Sequence, residues 1–267
     1  MGMHKEFRER YGPIAVITGA SSGIGEAFAE ELAERGFDLV LVARRLDRLE
    51  ELAERLERLH GTKSSLCDAD LSQPSAPTHL HQLLVGRDIG LVVSNAGFSV
   101  RGPHETLDAD ELTEMLTVNC HAPLHLARLF LPGLKARHKG GFVMVSSIEA
   151  LIGCPMSAAY SAMKALVLHL AEGLYAEAAG SGVDILACCP GATNTEAGNR
   201  AGVDMSALAN VQQPRDVAIA TLDNLANGPD LFPNAAYKAQ FDQLLAMPKR
   251  DALLAMASAM KGIGQAD

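Results

Sequence analysis

Apolar residues fall along this chain in two alternating patterns. Residues 13–18, 38–43, 63–67, 89–93, 141–146 and 183–189 are short, mostly apolar runs that lack the in–out alternation of a half-exposed strand. Between them, residues 23–35, 47–60, 107–137 and 158–179 carry apolar side chains at three- and four-residue spacing. The first pattern predicts strands buried on both faces and the second predicts helices with one apolar face. Gly36 and Gly61 stand where the first two helices should stop, and Pro132 lies near the end of the third. Strands alternating with helices predict an α/β fold, a Rossmann-type doubly wound parallel β-sheet with helices on both faces in three layers.

No linker, repeat or low-complexity tract divides the 267 residues, a length that suits one large α/β domain. Residues 13–195 read as its core and 214–267 as a helical C-terminal part. Within that part, 238–261 reads as a helix bearing Leu244, Leu245, Leu253, Leu254, Met256 and Met260. That stripe fits a core or subunit face, with a membrane-interfacial helix as the second reading. Residues 196–213 are rich in small side chains and follow a Pro-Gly pair, which predicts a mobile lid.

The formal net charge of −9 shows no basic face for a nucleic acid. The arginines between 44 and 58 are interleaved with Asp47, Glu50, Glu51, Glu54 and Glu57, as on a solvated, ion-paired helix. Cys67, Cys120, Cys154, Cys188 and Cys189 form no C-x-x-C pair, which points to a reducing, cytoplasmic setting rather than a disulfide framework. Cys188 and Cys189 are adjacent in a strand and should face opposite sides of the sheet as small hydrophobes. No apolar stretch is long enough to span a bilayer, residues 1–11 hold no apolar signal segment, and the histidines, with His79 and His81 in a polar loop, make no metal array.

The first strand runs into Thr18-Gly19-Ala20-Ser21-Ser22-Gly23-Ile24-Gly25, which opens the first helix. Glycines here let the backbone turn tightly and approach a pyrophosphate, while the helix N-terminus offers unpaired N–H groups and partial positive charge. The second strand ends in Val42-Ala43-Arg44-Arg45, with no acidic residue to bind ribose hydroxyls. Arginine pairs bidentately with a phosphate, so NADP(H) is favoured over NAD(H).

Further along come Asn95-Ala96-Gly97, Asn119, Ser146-Ser147, Tyr160 with Lys164, and Pro190-Gly191-Ala192-Thr193-Asn194-Thr195. In this order and spacing the chain closely resembles the short-chain dehydrogenase/reductase family from about residue 13 to 195. The resemblance implies a catalytic tetrad of Asn119, Ser147, Tyr160 and Lys164. It selects Ser147 over Ser146 because the family's serine lies thirteen residues before its tyrosine. It further implies that Asp70, with Leu71, borders the adenine, that Thr195 holds the nicotinamide amide, and that Asn95, Ala96 and Gly97 border the cofactor. With Pro190, Gly191 and Thr193 these join Gly19, Ser21, Ser22, Gly23, Ile24, Gly25, Arg44 and Arg45 as expected cofactor residues. A homodimer or homotetramer is implied through the helices at 107–137 and 158–179.

The chemistry follows from the side chains. Tyr160 and Lys164 lie four apart, on one helix face. A tyrosine near its usual pKa of ~10 is a poor base at neutral pH. A nearby ammonium and an oxidised nicotinamide both favour phenolate. Ser147 can hydrogen-bond the substrate oxygen, Lys164 can hold the nicotinamide ribose, and Asn119 can hold a water that relays protons. The chain departs from the family at Ser94, where an asparagine is common, and at Ile148-Glu149-Ala150-Leu151, where small residues are common; Glu149 could face substrate or solvent. Phe98 to Pro103, Ile148 to Pro155 and the lid should line the substrate site. Leu151, Ile152, Met156, Val203, Met205 and Leu208 give it an apolar cast, and Arg200 is the lid's one basic residue. The expected activity is interconversion of a hydrophobic ketone, steroid-like or 3-oxoacyl-like, and a secondary alcohol. A non-catalytic NADP(H) sensor is the alternative, and an epimerase or dehydratase of the family's longer branch is a third reading.

Overall fold

The computed structural model describes residues 2–196, 198 and 208–263. Seven parallel strands form its sheet: β1 (Ile14–Thr18), β2 (Asp38–Ala43), β3 (Ser64–Asp68), β4 (Ile89–Ser94), β5 (Gly140–Val145), β6 (Val183–Cys188) and β7 (Asp230–Leu231). Their order is β3-β2-β1-β4-β5-β6-β7, so the winding reverses between β1 and β4. In such sheets the crevice beyond the strands' C-terminal ends at the reversal is where ligands bind.

The helices are α1 (Gly2–Tyr11), α2 (Gly23–Glu34), α3 (Leu46–His60), α4 (Ala76–Leu83), α5 (Ala109–Leu116), α6 (Ala122–Ala136), α7 (Ala158–Glu177), α8 (Pro214–Asp223), α9 (Ala235–Ala246) and α10 (Lys249–Ile263). Successive strand residues point to opposite faces, so each strand feeds two cores. Ile17, Leu41, Val93, Val143 and Leu186 pack with Phe28 and Leu32 of α2, Leu49 and Leu56 of α3, and Val217 and Leu222 of α8. Val16, Val40, Val92, Phe142 and Ile185 pack with Leu80 of α4, Leu126 and Phe130 of α6, and Val167 and Leu168 of α7. Cys188 joins the first core and Cys189 the second, as expected of adjacent strand residues.

Four segments differ from the sequence reading. The charged N-terminus forms α1, held because the Phe7 ring packs at a tilt against Tyr11 and Phe37 while Tyr11 and Arg10 bond Asp184. His79 and His81 lie in helix α4, not a loop, and His81 meets Phe130 edge-on. β7 is too short to leave a periodicity, yet it pairs with β6 at Ala187 and Cys188. The helix expected over 238–261 is two helices, because Pro248 has no N–H to continue α9 and starts α10 afresh. Phe241 of α9 and Ala252 of α10 bury against Ile148, Ile152 and Cys154, so these helices roof the segment that follows β5. The stripe is thus partly core, while Leu245 and Leu254 stay exposed. Most of the lid expected at 196–213 lies outside the described residues.

Arg35 and Glu31 form a buried ion pair, extended by Asp223 and capped by the Phe7 ring. Removing one partner of a buried pair leaves a desolvated charge. Arg35→Met should therefore destabilise the protein by about 3 kcal/mol in urea unfolding, and adding Glu31→Leu should restore most of that loss.

Candidate active site

The glycine turn after β1 and the segments after β2, β4, β5 and β6 leave the sheet at its C-terminal edge. β1 ends at Thr18, whose hydroxyl accepts from the backbone N–H groups of Asn95 and Ala96 at 3.0 and 3.1 Å. The Asn95 amide returns a bond to the Thr18 carbonyl at 2.9 Å. This clasp ties the glycine turn after β1 to the turn after β4, the two strands flanking the reversal. Thr18, read in the sequence as the start of the glycine motif but not among the expected cofactor residues, is thus part of the site's framework.

The glycine turn has no spare room. A Cβ on Gly19 would lie 2.8 Å from the Asn95 amide nitrogen, and one on Gly25 only 2.2 Å from the Gly19 carbonyl. Gly19 and Gly23 also have φ of 69° and 60°, the region glycine tolerates best. Ser22 precedes α2 without its side chain capping the helix, so the first N–H groups take no bond from it. Ile24 packs down onto the core. This is the open helix N-terminus that a pyrophosphate needs.

The two arginines after β2 part company. Arg45 lies over the turn, donating to the hydroxyls of Ser21 (3.1 Å) and Ser22 (2.8 Å) and pairing with Glu196 at 2.9 Å. Arg48 also pairs with Glu196, and both arginines hold that carboxyl down at about 2. Arg44 instead reaches Glu114 at 3.1 Å and lies 3.9 Å from Asp70. Burial pushes the Asp70 carboxyl up, but the Ser72 hydrogen bonds and Arg44 outweigh it and leave it below its usual value. Leu71 is buried with Ala76, Ala122 and half-buried Ala96. Across the crevice, the Thr195 side chain sits 3.0 Å from where a Gly23 Cβ would be. Pro190 accepts from Ile148 N, Gly191 donates weakly to the Gln212 side chain, and Thr193 pairs with Gln212. The Tyr237 ring of α9 occupies the space a Gly191 Cβ would take, and its hydroxyl donates to the Ala209 carbonyl. Gln212 lies within the expected lid, whereas Tyr237 was not singled out because its partners are far away in sequence.

The four expected catalytic residues converge. Between α5 and α6 the backbone makes one π-helical turn, Thr117–His121, and Asn119 sits within it. Its carboxamide donates to the Phe98 carbonyl at 2.8 Å and accepts from Phe98 N at 3.1 Å. A Cβ on Gly97 would fall 2.7 Å from Asn119 Oδ1 and 3.3 Å from Lys164 Nζ, so glycine leaves room for both groups. Lys164 is buried and donates to the Val145 carbonyl at 2.9 Å, with its nitrogen 5.6 Å from the Tyr160 ring centroid. Burial lowers its pKa from 10.5 to about 8. Ser147, just past β5, accepts from Glu149 N at 3.2 Å and places its hydroxyl against the Tyr160 phenol.

The phenol's surroundings differ from the simple expectation. Burial raises its pKa, Glu149 raises it further, and Arg101 and the Ser147 hydrogen bond lower it. Glu149 therefore faces the site. It pairs with Arg101 at 2.5 Å and accepts from the Ser157 hydroxyl at 2.7 Å. Arg101, within the substrate-facing segment, had no distinguishing sequence signal.

A sequence profile described as short chain dehydrogenase matches residues 13–205. A very-long-chain 3-oxoacyl-CoA reductase of Neurospora crassa is 38% identical over 179 residues, covering 65% of this chain and 54% of that protein. The chain spans little more than half the length of the very-long-chain reductases it matches. A 7beta-hydroxysteroid dehydrogenase of Clostridium sardiniense is 32% identical over 212 residues, 79% of this chain and 81% of that protein. A solved short-chain dehydrogenase from Sphingobium yanoikuyae in complex with NADPH superposes with a TM-score of 0.81 at 33% identity, covering 96% of this chain and 98% of that one.

The depressed Lys164 pKa is also a statement about stability. The unfolded lysine holds its proton more tightly, so the folded state is penalised fully below about pH 8 and the penalty fades as pH rises towards 10.5. Lys164→Met should raise stability near neutral pH by about 1–2 kcal/mol, after allowing for the lost Val145 hydrogen bond, and by less near pH 10. Urea midpoints at the two pH values measure this.

Proposed function

The chain belongs to the short chain dehydrogenase family, and we propose that it is an NADP(H)-dependent oxidoreductase interconverting a hydrophobic ketone and a secondary alcohol. The observation that carries this reading is that Asn119 and Lys164 both approach Gly97 while Lys164 and Ser147 approach Tyr160, beside the glycine turn on the same sheet edge.

The residues present fit a dinucleotide. Gly19, Ser21, Ser22, Gly23, Ile24 and Gly25 would take the pyrophosphate at the N-terminus of α2, which the Ser22 side chain does not cap. Arg45 and the two serines would hold a 2′-phosphate, with Arg44 at the rim beside Asp70. Asp70 and Leu71 would border the adenine. Asn95, Ala96 and Gly97 would border the middle of the molecule, and Pro190, Gly191, Thr193 and Thr195 its nicotinamide end. When bound, the cofactor supplies or accepts the hydride.

The protein's part is to hold the substrate oxygen and move its proton. Ser147 donates to that oxygen, and in reduction the Tyr160 hydroxyl gives it a proton; in oxidation the same phenol withdraws the alcohol's proton. Lys164 would place positive charge near the phenol, its nitrogen 5.6 Å from the ring centroid, and would hold the nicotinamide ribose. Asn119 acts through Phe98, fixing the turn that brings Gly97 over Lys164. Half-buried Leu151 and exposed Met156 keep the approach largely apolar. The relatives' names, a 3-oxoacyl-CoA reductase and a hydroxysteroid dehydrogenase, are consistent with a bulky apolar ketone.

We further infer a homodimer or homotetramer packed through α5, α6 and α7, on which Leu116, Leu124, Leu166 and Tyr175 are exposed. Five free, buried thiols suit a reducing cytoplasm, and among the described residues no helix is long and apolar enough to cross a membrane.

NADPH absorbance should fall when the protein meets a panel of bulky ketones, and Tyr160→Phe should lower kcat/KM by about 10²–10⁴-fold. Tight NADPH binding without turnover of any carbonyl would favour a sensor. Arg45→Glu should weaken NADPH binding at least about tenfold while leaving NADH binding nearly unchanged, as read by titration of nucleotide fluorescence.

A further inference from the structure

Glu149 and Arg101 stand where the three segments carrying the reactive groups meet. Arg101 belongs to the stretch after β4 that begins at Gly97 and Phe98. Glu149 lies two residues past Ser147. The Glu149 carboxylate takes Arg101 on Oε1 and the Ser157 hydroxyl on Oε2, and Ser157 precedes α7, which carries Tyr160. The Glu149 backbone N–H is the donor that orients Ser147. One backbone bond, from Gly102 N to Met156 O at 2.8 Å, closes the same junction. Both side chains are largely shielded, 22% and 16% exposed, and Arg101 Nε is buried without a hydrogen-bond partner among the described residues. A charge pair in so dry a place acts on its neighbours with little screening.

That neighbour is the phenol. The Arg101 guanidinium carbon lies 5.8 Å from the Tyr160 ring centroid. The charged or titratable groups facing the phenol are Glu149 from the turn after β5, Arg101 from the segment after β4 and Lys164 from α7 itself, with Cys154 beyond the ion pair. Phe98, Val100, Leu112, Met115, Cys120 and Met163, packed on the rest of the ring's surroundings, carry no charge.

We propose that Arg101 and Glu149 are positioning residues: their ion pair docks the substrate-facing segment against the Ser147 turn and balances charge beside Tyr160, so that changing either one alone moves the working pH in opposite directions. The proposal rests on Tyr160 being the proton donor and acceptor. Glu149→Gln removes a negative charge and favours phenolate. Arg101→Met removes a positive charge and leaves Glu149 unopposed, which disfavours it. The double variant takes away both charges and returns the balance towards that of the wild type.

The test is the pH dependence of kcat/KM for NADP-linked oxidation of a secondary alcohol by the four proteins. The limb rising with pH should move down by about one pH unit in Glu149→Gln, up by about one in Arg101→Met, and back towards wild type in the double variant. Rate losses with superimposable profiles would reduce the pair to a structural brace and overturn the proposal. The same comparison needs no turnover if 3,5-difluorotyrosine is placed at position 160, where fluorine resonances report ionisation in an accessible pH range. Opposite displacements of that titration support the pair's role even if no alcohol is oxidised; coincident titrations refute it even if the enzyme is active.

Discussion

The site is organised around a buried ammonium. Lys164 sinks its charge beneath the sheet's C-terminal edge with a backbone carbonyl, not a carboxylate, as its hydrogen-bond partner. Such a charge is expensive to bury, and a carboxylate beside it would cancel the field it offers the phenol. Its surroundings follow from that constraint. Gly97 has no Cβ because Asn119 and Lys164 occupy the space one would fill. The π turn brings Asn119 to Phe98, and Ser146 bonds the Lys164 backbone carbonyl, pinning α7 to the end of β5.

Around this centre the crevice has two differently built sides. On the nucleotide side the design is backbone: uncapped N–H groups, glycines in close contact, and a Thr18–Asn95 clasp across the reversal of strand order. Arg45 is the exception, and it spends its donors on Ser21, Ser22 and Glu196. On the substrate side the design is side chain. Arg101, Glu149 and Ser157 make a polar junction in an otherwise apolar wall, and α9 and α10 cover the segment behind it. The first side suits a ligand of fixed shape, the second a substrate whose shape differs from one relative to another.

Much of this was legible in the sequence, and the reason is local. The strands from 38–43 and 183–189, the helix after Gly23, and the spacing of Tyr160 and Lys164 depend on neighbours within a few residues, so periodicity and motif order reveal them. The same holds for Cys188 and Cys189, whose opposite faces follow from strand geometry. What stayed hidden depends on distant partners. α1 is held by Phe37 and Asp184, β7 by β6, and the facing of Glu149 by Arg101, 48 residues earlier. Arg44 and Arg45 were indistinguishable by composition; only the position of Glu114 draws the first away while Ser21 and Ser22 hold the second. The phenol's raised pKa also required the fold, since burial and Glu149 raise it, opposite to the lowering expected from the lysine four residues along.

The central claim is that this edge delivers a hydride to a carbonyl carbon while Tyr160 handles the proton. Its most direct measurement uses NADPH deuterated at the transferable position of the nicotinamide with a bulky ketone, followed by mass spectrometry of the alcohol. The account predicts one deuterium on the new carbinol carbon. Alcohol formed without that label, or NADPH bound and never consumed beside any ketone offered, would contradict it.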